Sequence, residues 1–287
     1  MEINDIRAHI YARKENIVND LIRLVRIPSV STPSDDAEYP FGRECARALD
    51  AYSSIAREHG LAARNFDKAC VGAATRADVT PENAVGIWCH VDVVPVGDGW
   101  TYPPFEGVYK DNLVIGRGAQ DNKCAAVAGV YILEYLKSVD LRGNYIWFAG
   151  CSEECGMQDI DRYLKSFPAP KLNLIADCGF PVCIGEKTVA PKDADDPIVK
   201  CLCGVYNSIT GENSEPYTIG GSTYASKLPN AYPYGIILGD KRRIREHFPD
   251  GHGDYHEPDE AVEIDNLLEA MVIYIMSIIE LDKFLYE

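Results

Sequence analysis

The stretch Gly86 to Lys123, GIWCHVDVVPVGDGWTYPPFEGVYKDNLVIGRGAQDNK, decides the reading of the whole chain. Gly86 to Cys89 is a short apolar run of the kind that forms a buried strand. It would deliver His90 and Asp92 to the strand's carboxyl end, where open α/β sheets place their sites. Neutral imidazole is a common metal ligand, and a carboxylate two residues along can take the other ring N–H and fix the tautomer. Asp92 is the candidate for that supporting role. Pro95 to Gly107, punctuated by Gly and Pro, reads as loop, and Val108 to Ile115 as a hairpin turning at Asp111-Asn112. Gly116-Arg117-Gly118 then lets the chain bend sharply before Asp121. A second candidate ligand, Asp121, thus returns to the same rim, and the spacing alone points to a metal site.

Outward from this stretch, helices and strands alternate. Ile6, Ile10, Ile17, Leu21 and Leu24 recur at helical spacing, which predicts one helix over Ile3 to Val25. Gly42 to His59 is a second amphipathic helix, stopped by Gly60. Phe66 to Ala74 and Ala84 to Cys89 read as strands around the turn-rich segment Arg76 to Asn83. Cys124 to Leu136 is apolar nearly all round, which predicts a buried helix with Asp121 at its amino end, where the dipole favours a carboxylate. Asn144 to Ala149 and Leu172 to Ala176 are further strands, and Glu260 to Leu285 is a long helix. With 287 residues and 46% hydrophobic content, the chain is long enough for one large α/β core, residues 1–287 as a single domain.

The formal charge of −16 and pI near 4.8 argue against nucleic acid or an anionic membrane surface as partner and suit cation capture. No apolar run reaches the ~18 residues of a membrane span, and the amino terminus lacks a signal-peptide core. The ten cysteines fall singly inside apolar runs and are read as reduced and mostly buried. A cytoplasmic location and a monomeric state are therefore expected. Adjacent glutamates are ordinarily a solvated pair. Glu153-Glu154 instead sit between a strand end and a helix, flanked by Gly150 and Gly156, which favours a functional reading.

The pattern H-x-D-V-V-P…GW…PF-x-G…GRG-x-x-D-x-K resembles the M20 family of di-zinc metallopeptidases, in particular its carnosinase-like dipeptidase branch. The resemblance implies a three-layer α/β/α catalytic domain with a mixed, mostly parallel central sheet. It also implies hydrolysis of dipeptide or aminoacyl amide bonds by a metal-activated water. Two zinc ions per chain are implied, with cobalt or manganese able to use the same nitrogen and oxygen ligands. His90 and Asp177 would hold one ion and Glu154 and His256 the other, with Asp121 bridging them and Glu153 as general base. A cis peptide bond at Asp121-Asn122 belongs to the same pattern. His256 opens the family's run as His256-Glu257-Pro258-Asp259-Glu260; His247 and His252 lack that continuation and read as surface histidines. Gly220-Gly221-Ser222-Thr223-Tyr224-Ala225 resembles the dipeptidase G-G-T-Y-A element, which makes Gly221, Thr223, Tyr224 and Ser226 the substrate-binding candidates. A phosphate cradle at Gly220-Gly221 would need Walker or Rossmann spacing, which is absent.

The chain departs from the family pattern in three places. Gly179 stands where relatives carry an acid. Ser226-Lys227 stands where they carry an arginine suited to clamping a substrate carboxylate. The third concerns the lid domain that relatives insert after the Asp177 strand. Here Ile184-Gly185-Glu186-Lys187-Thr188 runs almost directly into Asp195-Asp196-Pro197, so the lid is expected to be missing around 188–195. The expected activity on small peptides is correspondingly weakened, and the alternative is a catalytically silent metal- and peptide-binding domain.

Overall fold

The computed structural model describes residues 2–187, 189–239 and 244–287. Its centre is a six-stranded sheet in the order β1 (Ala62–Phe66), β2 (Cys70–Ala74), β6 (Asn144–Gly150), β3 (Ala84–His90), β7 (Asn173–Ile175) and β11 (Ala231–Pro233). The pairs β1–β2 and β2–β6 are antiparallel, while β6–β3, β3–β7 and β7–β11 are parallel. The sheet is thus mixed and mostly parallel, as expected. Every residue of β3 is buried, because helices cover both faces of a parallel strand at the sheet's centre.

Side chains from β3 and β6 define the two faces. On one, Trp88 stacks on Phe148 (ring centroids 4.0 Å), and Tyr163 of α5 (Gln158–Ser166) meets the edge of Trp88. On the other, Trp147 packs against α4 (Lys123–Leu136) and against Tyr274 of α7 (Ile264–Tyr286). Gly129 permits the α4 contact, since a Cβ there would lie 2.2 Å from the indole. Tyr52 of α3 (Arg43–Glu58) donates to Trp147 O on the same side. This is the three-layer α/β/α arrangement. No helix among the described residues is long and apolar enough to cross a membrane. All ten cysteines are free, and only Cys155 and Cys201 are not fully buried.

Three elements differ from expectation. The amphipathic run Ile3 to Val25 is two helices, α1 (Ile3–Tyr11) and α2 (Lys14–Val25), because α1 packs on α7 while α2 packs on α4. Phe66 to Ala74 is the end of one strand and the whole of another. Asp67 and Lys68 turn between them at φ 55° and 59°, and Asn65 Oδ1 accepts the Lys68 N–H at 2.7 Å. Such a side-chain bond to the backbone favours a turn over a continuous strand. The expected turn at Asp111-Asn112 is present, with φ 51° and 66° between β4 (Val108–Lys110) and β5 (Leu113–Ile115). The third difference is the start of the long helix expected over Glu260 to Leu285: Ala261–Glu263 is strand β13, because its backbone pairs with β5, and α7 begins only at Ile264.

Residues 186–196 join β9 (Cys183–Gly185) to α6 (Pro197–Thr210). Asp196 caps α6 by accepting the Ile198 N–H at 2.8 Å. Thr188, in the join where the lid is expected to be missing, lies outside the described residues.

Candidate metal centre

His90, the last residue of β3, lies opposite Gly150, the last residue of β6, so the loops that follow leave from one rim of the sheet. The loop after β7 adds Asp177 to that rim. His90 Nε2 is 3.0 Å from Asp121 Oδ1 and 3.7 Å from Asp177 Oδ2. His256 Nε2 is 3.1 Å from Asp121 Oδ2 and 2.9 Å from Glu154 Oε1. Asp121 therefore turns one carboxylate oxygen to each imidazole. Within each triad, His90–Asp121–Asp177 and Asp121–Glu154–His256, the possible ligand atoms lie within 4.8 Å of one another. Imidazole nitrogens and carboxylate oxygens without thiolate are donors that zinc, cobalt and manganese accept, so the residues fit two divalent ions sharing one carboxylate. The Asp121–Asn122 peptide bond is cis.

Buried side chains hold these donors in place. Asp92 is fully buried, and its carbonyl oxygen lies 3.0 Å from His90 Nδ1, closer than its carboxylate at 3.4 Å. The two carboxylate oxygens instead accept the N–H groups of Glu153 and Glu154, each at 3.1 Å. Asp92 thus fixes both the imidazole and the glutamate turn. Asn122 Nδ2 donates to Asp177 Oδ1 at 2.8 Å. Arg117 is buried and donates to the carbonyls of His256 and Glu257, which steadies a loop whose His256 sits at φ 63°. A left-handed backbone at a non-glycine residue costs about 1–2 kcal/mol, so such support matters.

The charges of the chain set its protonation. Hydrogen bonds from His256 and His90 hold Asp121 below the usual carboxylate range despite its burial. His256 is raised to about 10 by its bonds to Asp121 and Glu154. Burial opposes a charge on His90, but Asp177, Asp121 and Asp92 outweigh it and raise its pKa well above the ordinary value. Burial pushes Asp177 well up, and the charges of Asp121, Glu154 and Glu186 add to it. Glu153 is pushed up to about 10, first by burial and then by Asp177, Asp92 and Glu154. A divalent cation entering here competes with protons.

The cluster opens into a cleft of ≈ 1030 Å³ whose wall includes Gly221, Thr223, Phe180, Tyr217 and Ile219. Gly221 and Thr223 thus face the space beside the cluster. Tyr224 and Ser226 turn elsewhere: Tyr224 donates to buried Asp159, and Ser226 Oγ donates to Thr223 O at 2.9 Å. The short 3-10 turn Tyr224–Ser226 rotates these side chains off the cleft wall. His247 is exposed, whereas His252 Nδ1 lies 2.7 Å from Asp259 Oδ2 and braces the His256 loop. Sequence reasoning passed over Arg117, Asn122, Asp159 and Glu260. The available signal was polar residues set among glycines and apolar runs, where burial demands a partner.

Fold and cluster together define the class: an α/β protein with a paired histidine–carboxylate centre at the carboxyl rim of its sheet. The chain belongs to Peptidase family M20/M25/M40, whose profile matches residues 86–280. It is 34% identical over 209 residues to a Staphylococcus aureus (strain USA300) protein named "Putative dipeptidase", an alignment covering 71% of this chain and 41% of that one. A similarly named protein of the bovine strain RF122 / ET3-1 is 36% identical over 186 residues, 63% of this chain and 38% of its own. The chain thus spans about two fifths of the curated relatives it matches. Among solved structures, human carnosine dipeptidase 1 superposes with TM-score 0.73 at 11% identity, covering 99% of each chain. The di-peptidase Dug1p of Saccharomyces cerevisiae gives 0.75 at 11%, covering 98% of this chain and 99% of its own. At such identities the likeness is one of fold.

Proposed function

We propose that this chain is a metallopeptidase catalytic domain that hydrolyses dipeptide or aminoacyl amide bonds, with His90 and Asp177 at one zinc, Glu154 and His256 at the other and Asp121 shared. The observation that carries the reading is Asp121, with Oδ1 3.0 Å from His90 and Oδ2 3.1 Å from His256, as one carboxylate serving two cations requires. Bound ions supply the Lewis acidity that polarises the scissile carbonyl and eases deprotonation of water.

The chain's own residues supply the rest. Glu153 lines the cleft beside Asp121 and is the group that takes a proton from the attacking water and passes it to the leaving amine. Cations in the cluster would offset the like charges that help raise Glu153 to about 10, freeing it to act as a base. Asp92 fixes the Glu153 backbone, and Gly221 and Thr223 orient a small peptide along the wall. The acidic chain with free cysteines suits a cytoplasmic monomer.

A second reading, a metal- and peptide-binding domain without catalysis, is favoured by the short join 186–196, where the family resemblance puts a lid. Ser226, turned from the cleft where relatives carry an arginine, favours it too. Without a lid, water is not excluded and donors to the developing oxyanion are lost, at about 10²–10³-fold in rate for each donor. The two readings part on one experiment, metal analysis of the chain loaded with zinc, cobalt or manganese followed by a dipeptide panel. Up to two ions per chain, with weak turnover abolished in Glu153→Gln, supports the peptidase. Two ions without turnover supports the silent domain, and no bound metal overturns both.

A further inference from the structure

Behind the metal cluster, one buried carboxylate ties together two turns that the proposed reaction must keep in register. Asp159, near the start of α5, is fully buried. Its Oδ2 accepts from the Cys151 N–H at 2.7 Å, the Ser152 N–H at 2.9 Å and Tyr224 Oη at 2.5 Å. Its Oδ1 accepts the Ile160 N–H at 2.8 Å. The first two donors belong to the turn that continues into Glu153 and Glu154. The phenol belongs to the turn that follows the cleft-wall residues Gly221 and Thr223.

Gly150 is shaped to this pair. A Cβ there would stand 2.1 Å from Tyr224 Oη and 2.5 Å from Asp159 Oδ2, so glycine admits both groups at the strand end facing His90. On the far side of the link, Glu186 holds Thr223 by its N–H (3.0 Å) and its hydroxyl (2.5 Å). A buried carboxylate and phenol are costly to desolvate where apolar side chains would fill the same space, and their hydrogen bonds are directed at two functional turns.

We propose that Asp159 and Tyr224 are positioning residues that hold the Glu153–Glu154 turn and the Gly221–Thr223 wall in fixed relation, so that loosening one loosens the other. The part concerning metal rests on Glu154 being a ligand, as proposed above; the mechanical link does not. In the whole 287-residue chain, Tyr224→Phe removes the link and keeps the volume, while Asp159→Asn weakens the anchor itself.

Two readouts are taken on each variant: amide hydrogen exchange over 151–154 and 221–223, and calorimetric titration with zinc, backed by the visible spectrum of the cobalt-loaded chain. In Tyr224→Phe we expect exchange to rise about tenfold in both segments, beyond any rise in the rest of the chain. We also expect affinity for the ion at Glu154–His256 to fall about 10–100-fold with an altered cobalt spectrum, the His90–Asp177 ion being little affected. Exchange that rises in one segment only, or in neither, overturns the link. Raised exchange in both with unchanged zinc affinity and spectrum overturns its role at the metal. Should Asp159→Asn fail to fold, Tyr224→Phe alone decides. An unmodified chain that binds no zinc overturns the metal reading, while exchange still judges the link.

Discussion

Glu260 Oε1 accepts the backbone N–H of Asp121 at 2.9 Å, together with those of Gly118 at 3.1 Å and Gln120 at 3.0 Å. Its other oxygen meets Arg117 Nη1 at 2.7 Å, and both side chains are buried. The bend that presents Asp121 is therefore built on a residue 139 positions away. Glu260→Ala would leave three N–H groups without their acceptor and the Arg117 guanidinium without its carboxylate, and breaking a buried ion pair costs about 3–5 kcal/mol. Urea unfolding should show a loss of that size, smaller for Glu260→Gln. A loss below about 1 kcal/mol for the alanine variant would contradict this account.

Metal uptake should release protons. His256 and Glu153 are each raised to about 10 and His90 lies well above its ordinary value, so near neutral pH both imidazoles carry the proton a ligand must shed. Zinc titrations in buffers of different ionisation enthalpy should show apparent heats that scale with the buffer. Buffer-independent heats near pH 7 would argue against the cluster.

The shared carboxylate makes the two sites unequal under mutation. His256→Ala removes a donor from one triad only and should leave about one ion per chain, whereas Asp121→Ala removes a donor from both and should weaken both. Equal loss of metal in the two variants would sink the bridging role.

Away from the site, His59 lies between Asp20 (3.2 Å) and Glu134 (3.2 Å). Its bond to Asp20 and then that to Glu134 raise its pKa above the ordinary 6.5, against the effect of burial. A raised folded-state pKa contributes stability that is fully present below 6.5 and is lost as pH rises through the folded value. The stability difference between the wild type and His59→Gln should therefore be largest below pH 6.5 and shrink as pH rises through the raised folded-state pKa. Asp20, whose carboxyl is lowered from 3.8, has its own window at more acid pH and leaves this range unaffected. A pH-independent difference would refute the coupling.

If the chain lacks a lid and that lack limits catalysis, as the second reading holds, inserting a relative's lid between Thr188 and Asp195 should raise dipeptide turnover well above that of the present chain. Steady-state rates of about 1–10³ s⁻¹ for the chain as it stands would refute this.

By itself the sequence determined the strand that ends at His90, the turn at Asp111-Asn112 and the helix after Asp121, because each rests on local pattern and turn chemistry. Motif resemblance marked five ligand candidates, and the structure places their side chains in two triads that share Asp121. Only the tertiary structure decided what holds them. It gave the Asp92 carboxylate to the Glu153–Glu154 backbone, set Glu260 and Arg117 under the Asp121 bend, and turned Tyr224 inward to Asp159. It also broke the first helix in two, because its halves pack on different helices. Each of these depends on partners far apart in the chain, and a buried charge declares its partner only once the sheet order has brought the two together.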